Sequence, residues 1–272
     1  MSRPAIAWFD EEQCVDIACA GGKGASLAAM TAAGLPVPPG FVVPSWVLEE
    51  CVDGEELRAL ARARDHEAAQ ALVRKAESPQ AGIEAAYERL GGAVAVRSSA
   101  CAEDSEAASY AGQQETFLHV SGATEVVDRL VECWASFFSE RALFYRVRKG
   151  SLDDLRMAVV VQKMVEPDKS GVLFTADPVQ RRRDRMVVEA VFGLGEQVVS
   201  GNVTPDHYVL DRAGAVKVNH LVHGGVLEEQ ELERLAAMGR RLEEQFGLPQ
   251  DVEWALADGE LLLLQSRPVT TL

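Results

Sequence analysis

Met157-Ala158-Val159-Val160-Val161-Gln162-Lys163-Met164-Val165 is a run dominated by valine and other apolar side chains. Glu166-Pro167-Asp168-Lys169-Ser170 interrupts it, and Gly171-Val172-Leu173-Phe174-Thr175 resumes it. Strand-forming residues on both sides of a short polar segment predict a hairpin with a five-residue connection. Upstream the text changes character. Residues 45–90 are rich in Ala, Leu, Arg and Glu and read as helix, interrupted at Ser78-Pro79. Residues 24–33 form a short Ala-rich helix ended by Gly34, and Leu35-Pro36-Val37-Pro38-Pro39-Gly40 forces an extended segment before the strand Phe41-Val42-Val43.

Further strands are expected at residues 93–97 and 116–120, with a polar loop of small residues between them at 98–112. Val126, Val127, Leu130, Val131, Trp134, Phe137 and Phe138 make one apolar stripe on a helix over 124–138. Downstream come strands at 186–192, 207–210 and 215–218, then a charged helix over 228–246 stopped by Gly247 and Pro249. A last hairpin joins 252–256 to 260–265 through Ala257-Asp258-Gly259, because Asp-Gly is a strong turn signal. Strands and helices mix without a regular βαβ alternation, which predicts an α+β fold.

The chain has 272 residues, 27 Lys plus Arg and 42 Asp plus Glu, for a net charge of −15. That field repels phosphate polymers and anionic lipid, so nucleic acid and membrane surfaces are not expected partners. Residues 49–89, 101–140 and 226–260 carry −4, −7 and −7, which leaves +3 for the rest of the chain. No apolar run reaches the roughly 18 residues of a membrane helix, and residues 1–10 do not read as a secretory signal. Five cysteines without a Cys-x-x-Cys pair predict free thiols in a reducing cytoplasm rather than disulfides or zinc.

Four elements carry chemistry. Gly21-Gly22-Lys23-Gly24 is glycine-rich, opens a helix and holds a lysine, a combination suited to phosphate although its spacing is not that of a P-loop. Arg97-Ser98-Ser99 follows a strand, where a guanidinium fork can hold phosphate oxygens. Small residues around Gly112 permit close approach of backbone to a ligand. Gln162 to Met164 offers backbone groups to an adenine edge. Asp251-Val252-Glu253 puts two carboxylates on one strand face, and the last hairpin brings Glu253 opposite Gln265, with Arg267 two residues on. Oxygen ligands beside a cation suit Mg²⁺ on a triphosphate. Arg181-Arg182-Arg183-Asp184-Arg185 reads as a solvated loop, and His220 and His223 as exposed loop histidines.

These elements occur in an order that resembles the N-terminal ATP-binding domain of the phosphoenolpyruvate synthase and pyruvate phosphate dikinase family, which includes rifampin phosphotransferase. The matching text is Gly21-Gly22-Lys23-Gly24-Ala25-Ser26-Leu27, Gly34-Leu35-Pro36-Val37-Pro38-Pro39-Gly40-Phe41, Val96-Arg97-Ser98-Ser99-Ala100, Ala102-Glu103-Asp104 and Ala111-Gly112-Gln113-Gln114-Glu115-Thr116-Phe117. It continues in Val161-Gln162-Lys163-Met164-Val165, Ser170-Gly171-Val172-Leu173-Phe174-Thr175-Ala176-Asp177-Pro178, Gly193-Leu194-Gly195-Glu196, Asp251-Val252-Glu253-Trp254 and Leu264-Gln265-Ser266-Arg267-Pro268. The resemblance covers nearly the whole chain. It implies an ATP-grasp-like fold in which two lobes enclose a nucleotide cleft, with ATP and Mg²⁺ as cofactors. Residues 1–272 would form a single ATP-binding domain of two or more lobes. Carried over by position, Lys23, Arg97 and Arg267 look like triphosphate contacts, and Gly112 and Thr116 like the loop that covers the phosphates. Gln162, with Met164, looks like the adenine side. Glu253 and Gln265 look like the metal ligands, with Asp251 a weaker one.

The family's phosphoryl-carrying histidine sits in a Thr-Ser-His-Ala context. None of His66, His119, His207, His220 and His223 follows Thr-Ser. No phosphohistidine or substrate-binding domain is read in this chain, and residues 211–228 are shorter than the family pattern. The expectation is an ATP- and Mg-dependent phosphotransferase component that passes a phosphoryl group to a histidine on a separate partner, with a small-molecule acceptor downstream. Two other readings stay open: a stand-alone kinase or ligase acting on a small molecule, and a nucleotide-binding module without turnover.

Overall fold

The computed structural model describes residues 3–101, 115–149, 152–195, 198, 201, 203–270 and 272. The expectations placed on Ala102-Glu103-Asp104, on Gly112 and its neighbours, and on Glu196 therefore lie outside the described residues. The fold is α+β, with two antiparallel sheets of five and six strands. The chain divides into two compact units, one of Met1–Ala29 with Pro39–Met164, the other of Met30–Pro38 with Val165–Leu272.

In the first unit β1 (Ala7–Trp8), β2 (Gly40–Val43), β3 (Val94–Ala100), β4 (Thr116–Val120) and β5 (Met157–Lys163) lie in the order β1-β2-β5-β3-β4. One face carries Phe41, Val43, Val94, Val96, Met157, Val159 and Val161. It packs against α2 (Val47–Cys51), α3 (Gly54–Ala63), α4 (His66–Val73), α5 (Gln80–Leu90) and α6 (Ala123–Ser136), around the buried Trp134 and Phe138. Residues 45–90 thus hold four helices where the composition shows one break. Aspartates make the extra breaks. Asp53 accepts hydrogen bonds from the N–H groups of Glu55 and Glu56, and Asp65 from that of Ala68, so each starts a new helix as its N-cap.

A further helix, α7 (Glu140–Lys149), has no counterpart among the sequence expectations. Its Arg146 is fully buried, donating to the carbonyls of Phe137, Leu152 and Asp154 and lying 3.9 Å from the Phe137 ring centroid.

In the second unit the six-stranded sheet adds β6 (Lys169–Phe174), β7 (Arg185–Phe192), β8 (Asp206–Asp211), β9 (Val216–His220), β10 (Gln250–Ala257) and β11 (Glu260–Pro268), ordered β11-β10-β6-β7-β8-β9. The helix over Glu229–Phe246 (α8) lies close on one face. A Cβ at its Gly239 would sit 3.1 Å from Thr175 Cγ2 and 3.2 Å from Leu173 Cδ2. Ion pairs of Glu231 with Lys169 and of Glu243 with Arg212 fasten both ends of the helix.

The hairpin expected at 157–175 does not form. β5 pairs with β2 and β3 in one sheet, and β6 pairs with β7 and β10 in the other. Val159, Val160 and Val161 are buried on both faces, so β5 needs a neighbour on each side and cover above and below, which makes it a central strand. The connecting residues have their own partners. Met164 N–H donates to Ala93 O, while Asp168 N–H donates to Leu256 O and Gly193 N–H to Asp168 O.

Candidate functional site

In the first unit the candidate residues gather on the sheet face opposite the helical core. The ladder sets Val42, Val160, Arg97 and Thr116 in one row across β2, β5, β3 and β4, and Gly40, Gln162 and Ala95 in the next row of the same face. Directly opposed residues point to the same side, so Arg97 and Thr116 are neighbours and Gln162 shares their face. Helix α1 (Ile17–Ala32) covers this face. A Cβ on Gly24 would meet Val42 Cγ2 at 3.0 Å and Val160 Cγ2 at 3.5 Å. Lys23, one residue earlier, is partly exposed, and its charge acts on the buried Cys133 thiol together with that of Glu115.

The helix is broken where the glycines are. Gly21 has φ 67° and ψ 177°, outside helical geometry. Ser99 Oγ stands in the gap. It donates to Ala20 O at 2.8 Å and accepts from Gly24 N–H at 3.2 Å, replacing the bond these two backbone groups would make in an unbroken helix. Only glycine fits, because a Cβ at 21 would lie 2.2 Å from Ser99 O and the φ is left-handed. A fresh helical turn then starts at Gly22 with Lys23 in it. Ser99 belongs to the Arg97-Ser98-Ser99 signature, but no local pattern marks its part in breaking the helix.

Two of the backbone groups read against an adenine edge are already engaged. Lys163 N–H donates to Pro39 O and Met164 N–H to Ala93 O, both at 2.9 Å, so these donors are engaged inside the sheet. Gln162 is buried, at 3% exposure.

In the second unit Asp251, Glu253, Gln265 and Arg267 share one face, with Glu253 opposite Gln265 and Asp251 opposite Arg267. The turn is Asp258-Gly259, both at positive φ, with Ala257 already paired to Glu260. A straight ladder from that turn would put Leu264 opposite Glu253 and turn Gln265 toward α8. A register shift between Glu253 and Trp254 prevents this. The added residue is a β-bulge, which re-aims Gln265 and Arg267 onto the carboxylate face.

Asp251 Oδ2 accepts from Arg267 Nε at 2.8 Å. Burial pushes the Asp251 carboxyl above its ordinary range, with Arg267 acting against the rise. Asp251 thus orients Arg267, whose side chain remains half exposed. Gln265 is 8% exposed, and its Oε1 has no hydrogen-bond partner among the described residues. A buried amide oxygen without a donor, beside the Glu253 carboxylate, fits a hard cation that takes oxygen ligands.

The remaining groups are structural or solvated. Arg182 pairs with Asp184 at 2.6 Å in an exposed loop, and His223 Nε2 lies 3.0 Å from Thr204 O. All five cysteines are free, and burial raises Cys14 to about 12 and Cys19 to about 11, which suits inert thiols. Among the described residues, no helix is long and apolar enough to cross a membrane.

A family model described as pyruvate phosphate dikinase, AMP/ATP-binding domain, matches residues 17–224 and 212–272. A probable phosphoenolpyruvate synthase of Archaeoglobus fulgidus is 40% identical over 315 residues, covering 98% of this chain and 42% of that protein. A rifampicin phosphotransferase of Streptomyces sviceus is 41% identical over 310 residues, covering 97% of this chain and 35% of that protein. The chain thus spans less than half the length of these relatives. The alignments are longer than this chain, and the two family-model matches overlap at 212–224. The relatives therefore carry extra residues within the matched region. Among solved structures, a D-alanyl-alanine synthetase A from Vibrio cholerae is similar at a TM-score of 0.38 and 12% identity, covering 92% of this chain and 59% of that one.

Proposed function

Since the chain belongs to the pyruvate phosphate dikinase AMP/ATP-binding domain family, we propose that it binds MgATP and starts a phosphoryl transfer to a histidine on a partner, with a small molecule as the final acceptor. In this reading Lys23, Arg97 and Arg267 neutralise the triphosphate, and Gly112 and Thr116 cover it. Gln162 and Met164 lie on the base side. Glu253 and Gln265 hold Mg²⁺, which when bound offsets the charge gathering on the transferred group. Phosphoryl transfer asks for positioning and charge neutralisation more than covalent help from the protein. The residues of this chain supply both.

The observation that carries the reading is the bulge that sets Gln265, whose Oε1 has no hydrogen-bond partner among the described residues, opposite Glu253. A surface hairpin has no need of such a bulge or of a buried acceptor left without a donor. Asp251 then holds the Arg267 fork beside the pair. A cytoplasmic setting suits the free thiols.

Calorimetric titration of ATP with and without Mg²⁺ tests the first half. Arg97→Ala and Glu253→Ala each should lose Mg-dependent nucleotide binding while the melting curve keeps its cooperativity, and unchanged binding in both would reject the site. For the second half, the chain is incubated with radiolabelled ATP and a histidine-bearing family domain. Acid-labile label on that domain is expected. Turnover of a small acceptor by this chain alone would replace the partner reading with a stand-alone kinase or ligase. Binding without transfer under any condition would leave a nucleotide-binding module.

A further inference from the structure

In the second unit one edge of the six-stranded sheet is left open. β11 ends the sheet on one side, and there Leu263 N–H donates to Pro36 O at 2.8 Å, so the segment before β2 meets that edge. β9 ends it on the other side, and all five of its residues are exposed. Ten large apolar side chains are exposed among the described residues, and four of them lie in or directly after this strand. They are Val216, Val218, Leu221 and Val222, at 40–57% exposure.

The backbone of that edge is aimed outward as well. Asp211 N–H donates to Ala215 O, so Asp211, Val209 and His207 turn their backbone groups toward β9 by alternation. His207 stands opposite His220, and Tyr208 opposite Asn219. The N–H and C=O of Asn219 therefore point away from β8, to the free edge. Natural edge strands are blunted by a charge or a bulge. Here both guards sit at the start of the strand. The ladder shifts between Val209 and Leu210, opposite Val218 and Val216, and Lys217 is held by Asp211 at 2.8 Å. Val218 to Val222 have neither guard.

We propose that β9 pairs antiparallel with β9 of a second copy of this chain, about a two-fold axis at Asn219 and His220, so that two six-stranded sheets join edge to edge. Such a contact is self-complementary and closes with two copies. It covers the outward groups of Asn219 and sets the exposed valines and leucine of one copy against those of the other. Charge selects this stretch for a second copy. The chain carries 42 acidic residues and a net charge of −15, so two copies repel over most of their surface. Residues 213–227 contain no Asp or Glu. There two copies can meet without bringing carboxylates together. The relatives differ at the same place. The two family-model matches overlap at 212–224, the stretch that holds β9, so residues that the relatives carry in addition enter beside this strand. In this chain the strand stands without them. A five-residue edge makes a small interface, and the dimer is accordingly a weak one.

Sedimentation equilibrium of the whole chain from about 5 to about 200 µM should show a reversible monomer–dimer equilibrium. Raising salt from about 0.05 M to about 0.5 M should strengthen the dimer, because screening relieves the repulsion between two acidic copies. Asn219→Pro removes an outward N–H and leaves the bonds to β8, so it should abolish the dimer. Val218→Glu should weaken it about tenfold or more, and guards against a folding defect in the proline variant. Leu248→Glu, at a similarly exposed apolar residue outside the strand, should leave it unchanged. Exchange of the Asn219 amide with solvent should slow as the chain is concentrated into the dimer range. A chain that stays monomeric throughout overturns the proposal. So does a dimer that survives both edge variants, that Leu248→Glu weakens as much as they do, or that salt dissociates.

Discussion

Gly21 and Ser99 show how much of the first unit depends on single atoms. The Ser99 hydroxyl takes the place of one helical hydrogen bond, and the missing Cβ of Gly21 makes the room. Gly21→Ala should cost about 3 kcal/mol or more, because strain at a left-handed φ adds to a clash with backbone. Ser99→Ala should let the helix close toward its unbroken form and weaken MgATP binding more than it weakens the fold. Denaturant unfolding and nucleotide titration of both variants separate the two effects.

Asp206 makes the corresponding point in the second unit. It is fully buried, and its carboxylate accepts from the N–H groups of Val222, His223, Gly225 and Val226 at 2.6–3.0 Å. Burial alone would raise its pKa, but the four backbone donors together hold it below the usual carboxylate range. Such a group stabilises the fold fully above the unfolded value of about 3.9 and loses that contribution as pH falls through the folded value. Asp206→Asn should therefore lower stability by about 2–4 kcal/mol at pH 7. The gap to wild type should shrink in melts below about pH 4. A gap that stays constant with pH would show that the carboxylate charge is not what holds the loop.

At the scale of elements, the last hairpin decides where the proposed cation ligands Glu253 and Gln265 stand. Its Asp-Gly turn is plain in the sequence, but the turn alone pairs Glu253 with Leu264. The bulge is the difference, and it leads to a specific expectation. Deleting Leu264 straightens the ladder while leaving Gln265 opposite Glu253, so MgATP affinity should stay within about tenfold of wild type. Inserting an alanine beside Leu264 turns Gln265 toward α8 and should remove Mg-dependent binding, a loss of the order seen when metal-site partners are removed. Titration calorimetry on the two variants checks the pair. If deletion and insertion are equally harmful, register is not what places Gln265.

The central strand β5 is the other element whose role changed. Its valine run is legible as a strand, yet neither its partners nor the loss of the expected hairpin follow from local pattern. The choice between a tight return and a crossing into another sheet depends on which faces are buried.

For the whole molecule, charge and segregation matter most. The acidic surplus lies in segments without Lys23, Arg97 and Arg267, so a net charge of −15 is compatible with local binding of one triphosphate. Duplex DNA should not be retained by the chain at about 150 mM salt, where binding to a polyanion needs a cationic surface. A filter-binding isotherm that saturates under these conditions would contradict the charge argument.

Much of the fold was legible by itself. Helix stripes, glycine stops, Asp-Gly turns and β-branched runs are local signals, and they fixed the α+β class and most element positions. The aspartate caps inside residues 45–90 were present too, though masked by continuous helix-forming composition. The ordered blocks from Gly21 to Pro268 carried the family.

What sequence alone determined, then, is the set of elements and the chemistry each brings: cations at Lys23, Arg97 and Arg267, and oxygen donors at Glu253 and Gln265. Tertiary structure decided which of them face one another. A strand's side chains alternate with a period of two, so one bulge or one change of partner moves a residue from one face to the other. That choice is made by burial across the whole sheet. Glu253 therefore meets Gln265 only in the folded sheet, through a bulge that the turn does not encode.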